Sequence, residues 1–228
     1  MDTYAIPRPP ADRPLLGRTV LLVEDSLTAC EAMRLLGVRS GARMRRAGDL
    51  AQAERHLRVW RPSVAIVDIG LPDGSGAALI ARLARAEPRI EVVVGTSGDP
   101  GAMEAAMEAG ADGFMAKPVN SLAVFQEGIL AHLPPEAQPP GPRALPLDEV
   151  GPDPAALADD LAHAADLLGG PDEGTIPIAY LSQFLASVAR ENGDSALEGA
   201  AATLAAGDPL PERLARLAGI VQDRIAAA

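Results

Sequence analysis

From Arg18 onward the chain alternates short apolar runs with stretches of helical composition, five times in succession. The strand candidates are Thr19–Glu24, Arg43–Ala47, Val64–Asp68, Glu91–Thr96 and Gly113–Ala116. Helix candidates Leu27–Arg39, Leu50–Trp60, Ser75–Ala86 and Pro100–Ala109 lie between them, and Leu122–Leu133 follows the last strand. Parallel strands need a crossover that returns the chain to the same edge, and helices supply it. The pattern therefore predicts an α/β fold, a five-stranded, doubly wound parallel sheet with helices on both faces. The runs Val64-Ala65-Ile66-Val67 and Val92-Val93-Val94 are apolar at every position, as central strands covered on both sides require. Asp99 and Pro100 read as the cap and first turn of the fourth helix, and Gly110 as its end.

The pattern stops at a proline-rich stretch. Eight of the 21 residues from Pro134 to Pro154 are proline, which excludes a regular helix or central strand and predicts an extended, semi-rigid linker. Beyond it, breakers separate four short helices: Ala155–Leu168 before Gly169-Gly170, Ile176–Glu191 before Asn192-Gly193, Ser195–Ala206 before Gly207, and Pro209–Ile225. Leu157, Leu161, Ala164 and Leu168 share one face of the first, and Leu210, Leu214, Leu217, Val221 and Ile225 one face of the last. Both stripes must be buried. The expected organisation is a tail at 1–16, an α/β domain at 17–133, a linker at 134–154 and a small all-α domain at 155–228. A bundle of that size has a small core, which makes self-association an expectation.

Charge divides along the same line. Residues 1–140 carry 15 basic and 17 acidic side chains, and residues 141–228 carry 5 basic and 14 acidic. Nucleic-acid binding needs a basic footprint, and the C-terminal part has the opposite sign. No window approaches eighteen uninterrupted apolar residues and the N-terminus lacks a basic, then apolar, leader, so a cytoplasmic protein without a membrane span is expected. The single cysteine, Cys30, reads as a small buried apolar side chain on the first helix.

In an open parallel α/β sheet the ligand site lies outside the carboxyl ends of the strands. Strand one ends at Glu24-Asp25, strand three at Asp68, strand four at Thr96-Ser97, and strand five at Lys117-Pro118. Three carboxylates converging there cannot all stay ionised without a cation, and oxygen ligands call for Mg²⁺. Lys117 is the only lysine among twenty basic residues, and it stands where an ammonium balances the remaining negative charge. Thr96 offers a hydroxyl donor to a phosphoryl oxygen.

Glu24-Asp25, the run Asp68-Ile-Gly-Leu-Pro-Asp-Gly-Ser-Gly76, Gly95-Thr-Ser and Lys117-Pro118 resemble, in this order, the receiver domains of two-component response regulators, over roughly residues 17–133. The resemblance implies the flavodoxin-like strand order 2-1-3-4-5. It implies that Asp68 accepts a phosphoryl group from a sensor histidine kinase or phosphotransfer protein. Asp25 and Asp68 would bind Mg²⁺ directly, Glu24 through water, and the carbonyl of Gly70 would complete the protein ligands. Lys117 would pair with the phosphoryl group, Pro118 would shape its loop, and Thr96 and Phe114 would form the switch. Gly70, two residues past the acceptor, leaves space through which water would reach the acyl phosphate.

The C-terminal helices carry fewer signals. His163 has the chemistry of a phosphocarrier, but Asp159, Asp160 and Asp166 nearby would repel a phosphoryl group, so it reads as a surface histidine, like His56 and His132. Tyr180, Phe184 and Leu185 read as helix core, and Trp60 as packing at the end of the second helix. The reading that follows is a phosphorylation-dependent regulator, not an enzyme in its own right, whose acidic helical part forms a homodimer or binds a protein target. A phosphorelay carrier or phosphate sink, and a transcription or RNA regulator, stand as alternatives.

Overall fold

The computed structural model describes residues 8–169, 178–204 and 210–227. Strands β1 (Thr19–Val23), β2 (Arg43–Ala47), β3 (Val64–Asp68), β4 (Val92–Ser97) and β5 (Gly113–Ala116) form one parallel sheet in the order β2-β1-β3-β4-β5. The expected α/β fold and strand order are both present. The register aligns the carboxyl ends: Val23 lies beside Ala47 and Val67, Asp68 beside Thr96, and Thr96 beside Met115. Because the chain leaves β1 toward β2 and returns on the other side as β3, a crevice opens between the ends of β1 and β3.

Helices α1 (Leu27–Arg39) and α5 (Leu122–Leu130) cover one face of the sheet, and α2 (Leu50–Val59), α3 (Gly76–Ala84) and α4 (Ala102–Glu108) the other. Alternate strand residues feed the two cores. Val20, Leu22, Ile66 and Val94 meet Met33, Leu36, Phe125 and Ile129, whereas Leu21, Val23, Val67 and Val93 meet Leu79, Ile80 and Leu83. Full burial of each such side chain is worth about 1.5–3 kcal/mol. Ser26, Asp49, Ser75 and Ser121 cap four of these helices through side-chain oxygens that accept backbone N–H bonds. The fourth helix starts two residues later than expected, because the Asp99 carboxylate holds the N–H of Gly101 in a turn before it. The edge strand β2 carries exposed Arg43, Arg45 and Arg46, whose charge opposes pairing with another chain's strand.

The proline-rich segment is anchored rather than free-running. It contains a 3-10 turn at Pro135–Ala137, its Asp148 carbonyl accepts from Leu122 N, and Val150 N donates to Asn120 O at 2.8 Å. Val150 enters the core beneath α1 and α5, and Arg143 pairs with Gln126 and Glu127. Helices α6 (Pro154–Gly169), α7 (Ile178–Glu191), α8 (Ser195–Thr203) and α9 (Leu210–Ala227) follow. The expected stripes meet in one core, where Leu161 and Ala164 lie with Leu185, Val188, Leu197, Leu217 and Val221, but Ile225, at the end of the last stripe, stays exposed because α9 runs on past the core there. The expected breaker residues Gly170 and Gly207 and the helix limits at Ile176, Ala206 and Pro209 lie outside the described residues, as do residues 1–7 of the tail. Among the described residues no helix is long and apolar enough to cross a membrane.

Candidate functional site

Each strand contributes to the crevice by ending there. Glu24 is fully buried, Asp68 is 5% exposed, and oxygens of Glu24, Asp25 and Asp68 lie within 4.8 Å of one another. Lys117 reaches in from just beyond β5, and the peptide bond that follows it, to Pro118, is cis. Its Nζ donates to Asp68 Oδ2 at 2.7 Å and to Glu24 Oε1 at 2.8 Å. Gly70 N donates to Asp68 Oδ1 at 3.2 Å, and a short antiparallel ladder of Gly70–Leu71 with Gly74–Ser75 shapes the loop behind it.

Charge accounts for the electrostatics. Burial raises the Glu24 carboxyl well above the usual range, even though the Lys117 ammonium pulls the other way, and Asp68 and Asp25 add to the rise. Burial also raises Asp25. Burial alone would lower Lys117, but Asp68 and Glu24 outweigh it and hold the ammonium firmly protonated. One ammonium against three carboxylates leaves an excess of negative charge that a small hard cation would neutralise. The donor set, three close carboxylates on rigid strand ends, fits a divalent cation such as Mg²⁺. The acidic triad Glu24, Asp25 and Asp68 is of the kind that forms the divalent-metal site of receivers. Chemically, such a pocket can hold a cation and present a carboxylate oxygen to an incoming phosphoryl donor.

The other expected residues are placed as follows. Thr96 is fully buried, and its hydroxyl donates to Met115 O at 2.8 Å, across to β5 rather than into the pocket. Phe114 is half-buried against the core of α3 and α4. Cys30 is buried, with Sγ 3.4 Å from Glu24 O, and burial raises its thiol pKa well above the ordinary value. His163 is exposed, its ring edge-on to Phe184 at 5.6 Å. His56 is half-buried, with Nε2 3.1 Å from Arg46 O, and His132 is exposed. Trp60 packs at the end of α2 with the Arg45 guanidinium over its ring.

Sequence reasoning predicted helices α6 and α7 but not that they lie across the pocket mouth. The Tyr180 hydroxyl donates to Asp25 Oδ2 at 2.6 Å, and Arg190 Nη1 donates to Gly98 O at 2.8 Å. Asp160, expected among solvated acids, is 2% exposed. Its Oδ1 accepts from Leu27 N at 2.7 Å, and its Oδ2 accepts from Ser26 Oγ and Thr28 N at 2.9 Å, so α6 caps the N-terminus of α1. The space left by Gly70 is filled. A β-carbon there would lie 2.6 Å from Gln183 Oε1. Tyr180, Gln183, Ser187 and Arg190 recur at helical spacing as a polar stripe on α7, and that stripe was the available signal.

Glu191 yields a pH prediction. Burial raises its carboxyl to about 7, the nearby Lys117 lowers it, and Asp160, Asp68 and Asp25 raise it. A carboxyl raised on folding binds its proton more tightly in the folded state, so stability falls as pH rises from the unfolded value toward the folded one. Between pH 5 and pH 8 the wild-type chain should lose about 1–3 kcal/mol from this group, and Glu191→Gln should remove that loss. Urea unfolding at the two pH values is the check. An unchanged pH slope in the variant would contradict the assignment.

Fold and pocket together define a doubly wound α/β domain with a divalent-cation type acid site at its topological switch point. Residues 20–127 match the family model of the response regulator receiver domain, and this part of the chain is such a receiver domain of two-component phosphorelay signalling. Receivers partner with histidine kinases. The chain is 33% identical over 103 residues to the virulence transcriptional regulatory protein PhoP of Salmonella typhimurium, a match covering 44% of this chain and 46% of that protein. It is 31% identical over 102 residues to the transcriptional regulatory protein PhoP of Escherichia coli O157:H7, with the same two shares. The chain thus spans less than half the length of these curated relatives. Among solved structures, a putative response regulator from Chloroflexus aurantiacus is similar at 30% identity and TM-score 0.42, over 44% of this chain and 85% of its own. A Burkholderia pseudomallei response regulator with a phosphorylated aspartic acid, calcium ion and citrate is similar at 23% identity and TM-score 0.45, over 50% of this chain and 66% of its own. The family match ends at residue 127 and leaves α6 to α9 outside it.

Proposed function

We propose that the protein is a response regulator in which Asp68 accepts a phosphoryl group from a histidine kinase or phosphotransfer protein, and that its acidic C-terminal helices carry the signal to a protein partner. The observation that carries this reading is the pairing of Lys117 with both Asp68 and Glu24 on aligned strand ends. Asp68 Oδ2 is held by the ammonium and Oδ1 by Gly70 N, which fixes the carboxylate in place as the nucleophile. Attack on phosphorus forms the acyl phosphate, and the donor's leaving group departs with the electron pair of the broken bond. Lys117 then balances charge on the phosphoryl oxygens. Asp25 and Asp68, with Glu24 and the Gly70 carbonyl, are the groups that would hold Mg²⁺, which when bound supplies neutralisation of phosphoryl charge. Thr96 is one strand over, and a rotation of its hydroxyl away from Met115 would bring a donor toward the phosphoryl group, with Phe114 on β5 beside it as the second part of a switch. Pro118 fixes the loop that carries Lys117.

The charge of the C-terminal helices disfavours a nucleic-acid output, since 14 acidic side chains face 5 basic ones in residues 141–228. Asp68→Asn should abolish labelling by a small-molecule phosphodonor, and chelation of Mg²⁺ should reduce labelling of the wild type at least tenfold. Label that persists in the variant would sink the assignment.

A further inference from the structure

We propose that the α6–α7 face is a binding surface for the acid pocket of its own chain, and that this face and a phosphoryl group on Asp68 occupy the pocket mouth in alternation. The inference rests on the reading of Asp68 as phosphoacceptor. Three independent observations carry it.

The first is what the face touches. Tyr180 takes Asp25, one of the three carboxylates suited to a cation, with an O–H bond of 2.6 Å. A carboxylate oxygen held by that hydroxyl is less available as a metal ligand, so cation and tyrosine compete for it. Arg190 takes the Gly98 carbonyl in the loop after β4, and Asp160 takes the start of α1, immediately after Asp25. The polar contacts therefore converge on the loops that surround the acceptor, while α6 also packs along α1.

The second is space. With α7 in place, the cavity bounded by Glu24, Asp25, Asp68, Lys117, Gln183 and Ser187 measures about 10 Å³. That is room for about one water, whereas a phosphoryl group brings phosphorus and three oxygens. Gln183 occupies the gap above Gly70, so the group cannot enter sideways without moving it. Phosphorylation therefore demands that α7 withdraw.

The third is that the docked face is imperfectly satisfied. Among the described residues, Ser187 Oγ and Glu191 Oε2 are buried without a hydrogen-bond partner. Each opposes docking, because water would satisfy it once the helix lifts. Such an interface is poised to open rather than fused as a core, in contrast with the apolar packing of Leu161, Leu185 and Leu197 within the bundle.

Linkage makes the idea quantitative. If docking weakens binding at the pocket by some factor, binding weakens docking by the same factor. Hydrogen exchange read by mass spectrometry on the full chain, with and without Mg²⁺ and beryllofluoride as phosphoryl mimic, tests it. The amides at the start of α1, which Asp160 now holds, and those of α7 should exchange about tenfold faster or more with the mimic bound. Binding of the mimic with unchanged or slower exchange overturns the alternation alone. A wild-type chain that binds the mimic no better than Asp68→Asn sinks the reading of Asp68, and this inference with it. Tyr180→Phe and Asp160→Asn keep shape while removing a docking bond, so each should bind Mg²⁺ with beryllofluoride about three- to tenfold more tightly than wild type and show faster α1 exchange without it. Unchanged affinity in both variants would overturn the proposal.

Discussion

Replacing Lys117 with methionine is expected to destabilise the protein by about 3–5 kcal/mol at neutral pH, because it removes one member of a buried charge cluster and leaves the others uncompensated. The lysine side chain is 2% exposed, and its Nζ stands within 2.8 Å of both Glu24 and Asp68. A buried ion pair is a weak stabiliser relative to well-packed apolar residues, but breaking one side of it is costly, since the stranded carboxylates keep their desolvation penalty and lose their partner. The sign of the pH dependence follows. Burial already raises Glu24, and the ammonium is the main influence opposing it. Without that ammonium the folded state prefers the protonated carboxyl more strongly, so the deficit should shrink as pH falls from 8 to 5. Urea unfolding of both chains across that range is the measurement. A loss below about 1 kcal/mol, or a deficit that grows on acidification, would contradict the charge account.

Gly76→Ala should be nearly as damaging, for a steric reason. A β-carbon on Gly76 would sit 1.8 Å from the carbonyl oxygen of Asp68 and 2.9 Å from the α-carbon of Ile69. Both are backbone atoms at the end of β3, so no rotamer change relieves the clash, and either α3 or the acceptor loop has to move. The expected cost is about 3 kcal/mol or more, at the upper end of overpacking effects. Gly70→Ala is the control, since the atoms nearest its added carbon belong to the Gln183 amide, which can swing away on a flexible side chain. It should cost less than about 1 kcal/mol in thermal or urea unfolding while loosening α7. Equal losses in the two variants would show that the Gly76 clash is absorbed elsewhere.

The α/β part was legible because its signals are local and repeated. Continuous apolar runs such as Val64–Val67 mark strands buried on both faces, and the rule that sites form at carboxyl ends brings Glu24, Asp25, Asp68 and Lys117 together without any knowledge of contacts. Cys30 likewise lies buried on α1, as its apolar neighbours indicate. What escaped was long-range. Asp160 and Ser26 are 134 residues apart, and nothing near an acidic residue on a helix says that it will cap another helix across a linker. Tyr180 reads correctly as buried, but burial of the ring is silent about where the hydroxyl points. Thr96 was legible as a strand-end hydroxyl, whereas its bond to Met115 depends on the register of β4 with β5. The prolines of 134–154 speak against a regular helix or central strand, yet Val150 and Arg143 fasten that segment to α5 and its approach through contacts that composition does not encode.

The central claim is that Asp68, and not Asp25 or Glu24, carries the phosphoryl group. Reductive trapping tests it most directly: after reaction with a phosphodonor and Mg²⁺, borohydride converts an aspartyl phosphate to homoserine, which peptide mass spectrometry locates. The account predicts homoserine at position 68 alone, dependent on donor and absent when Mg²⁺ is chelated. Conversion at position 25, or unmodified aspartate at 68 in a chain that takes up label, would contradict it.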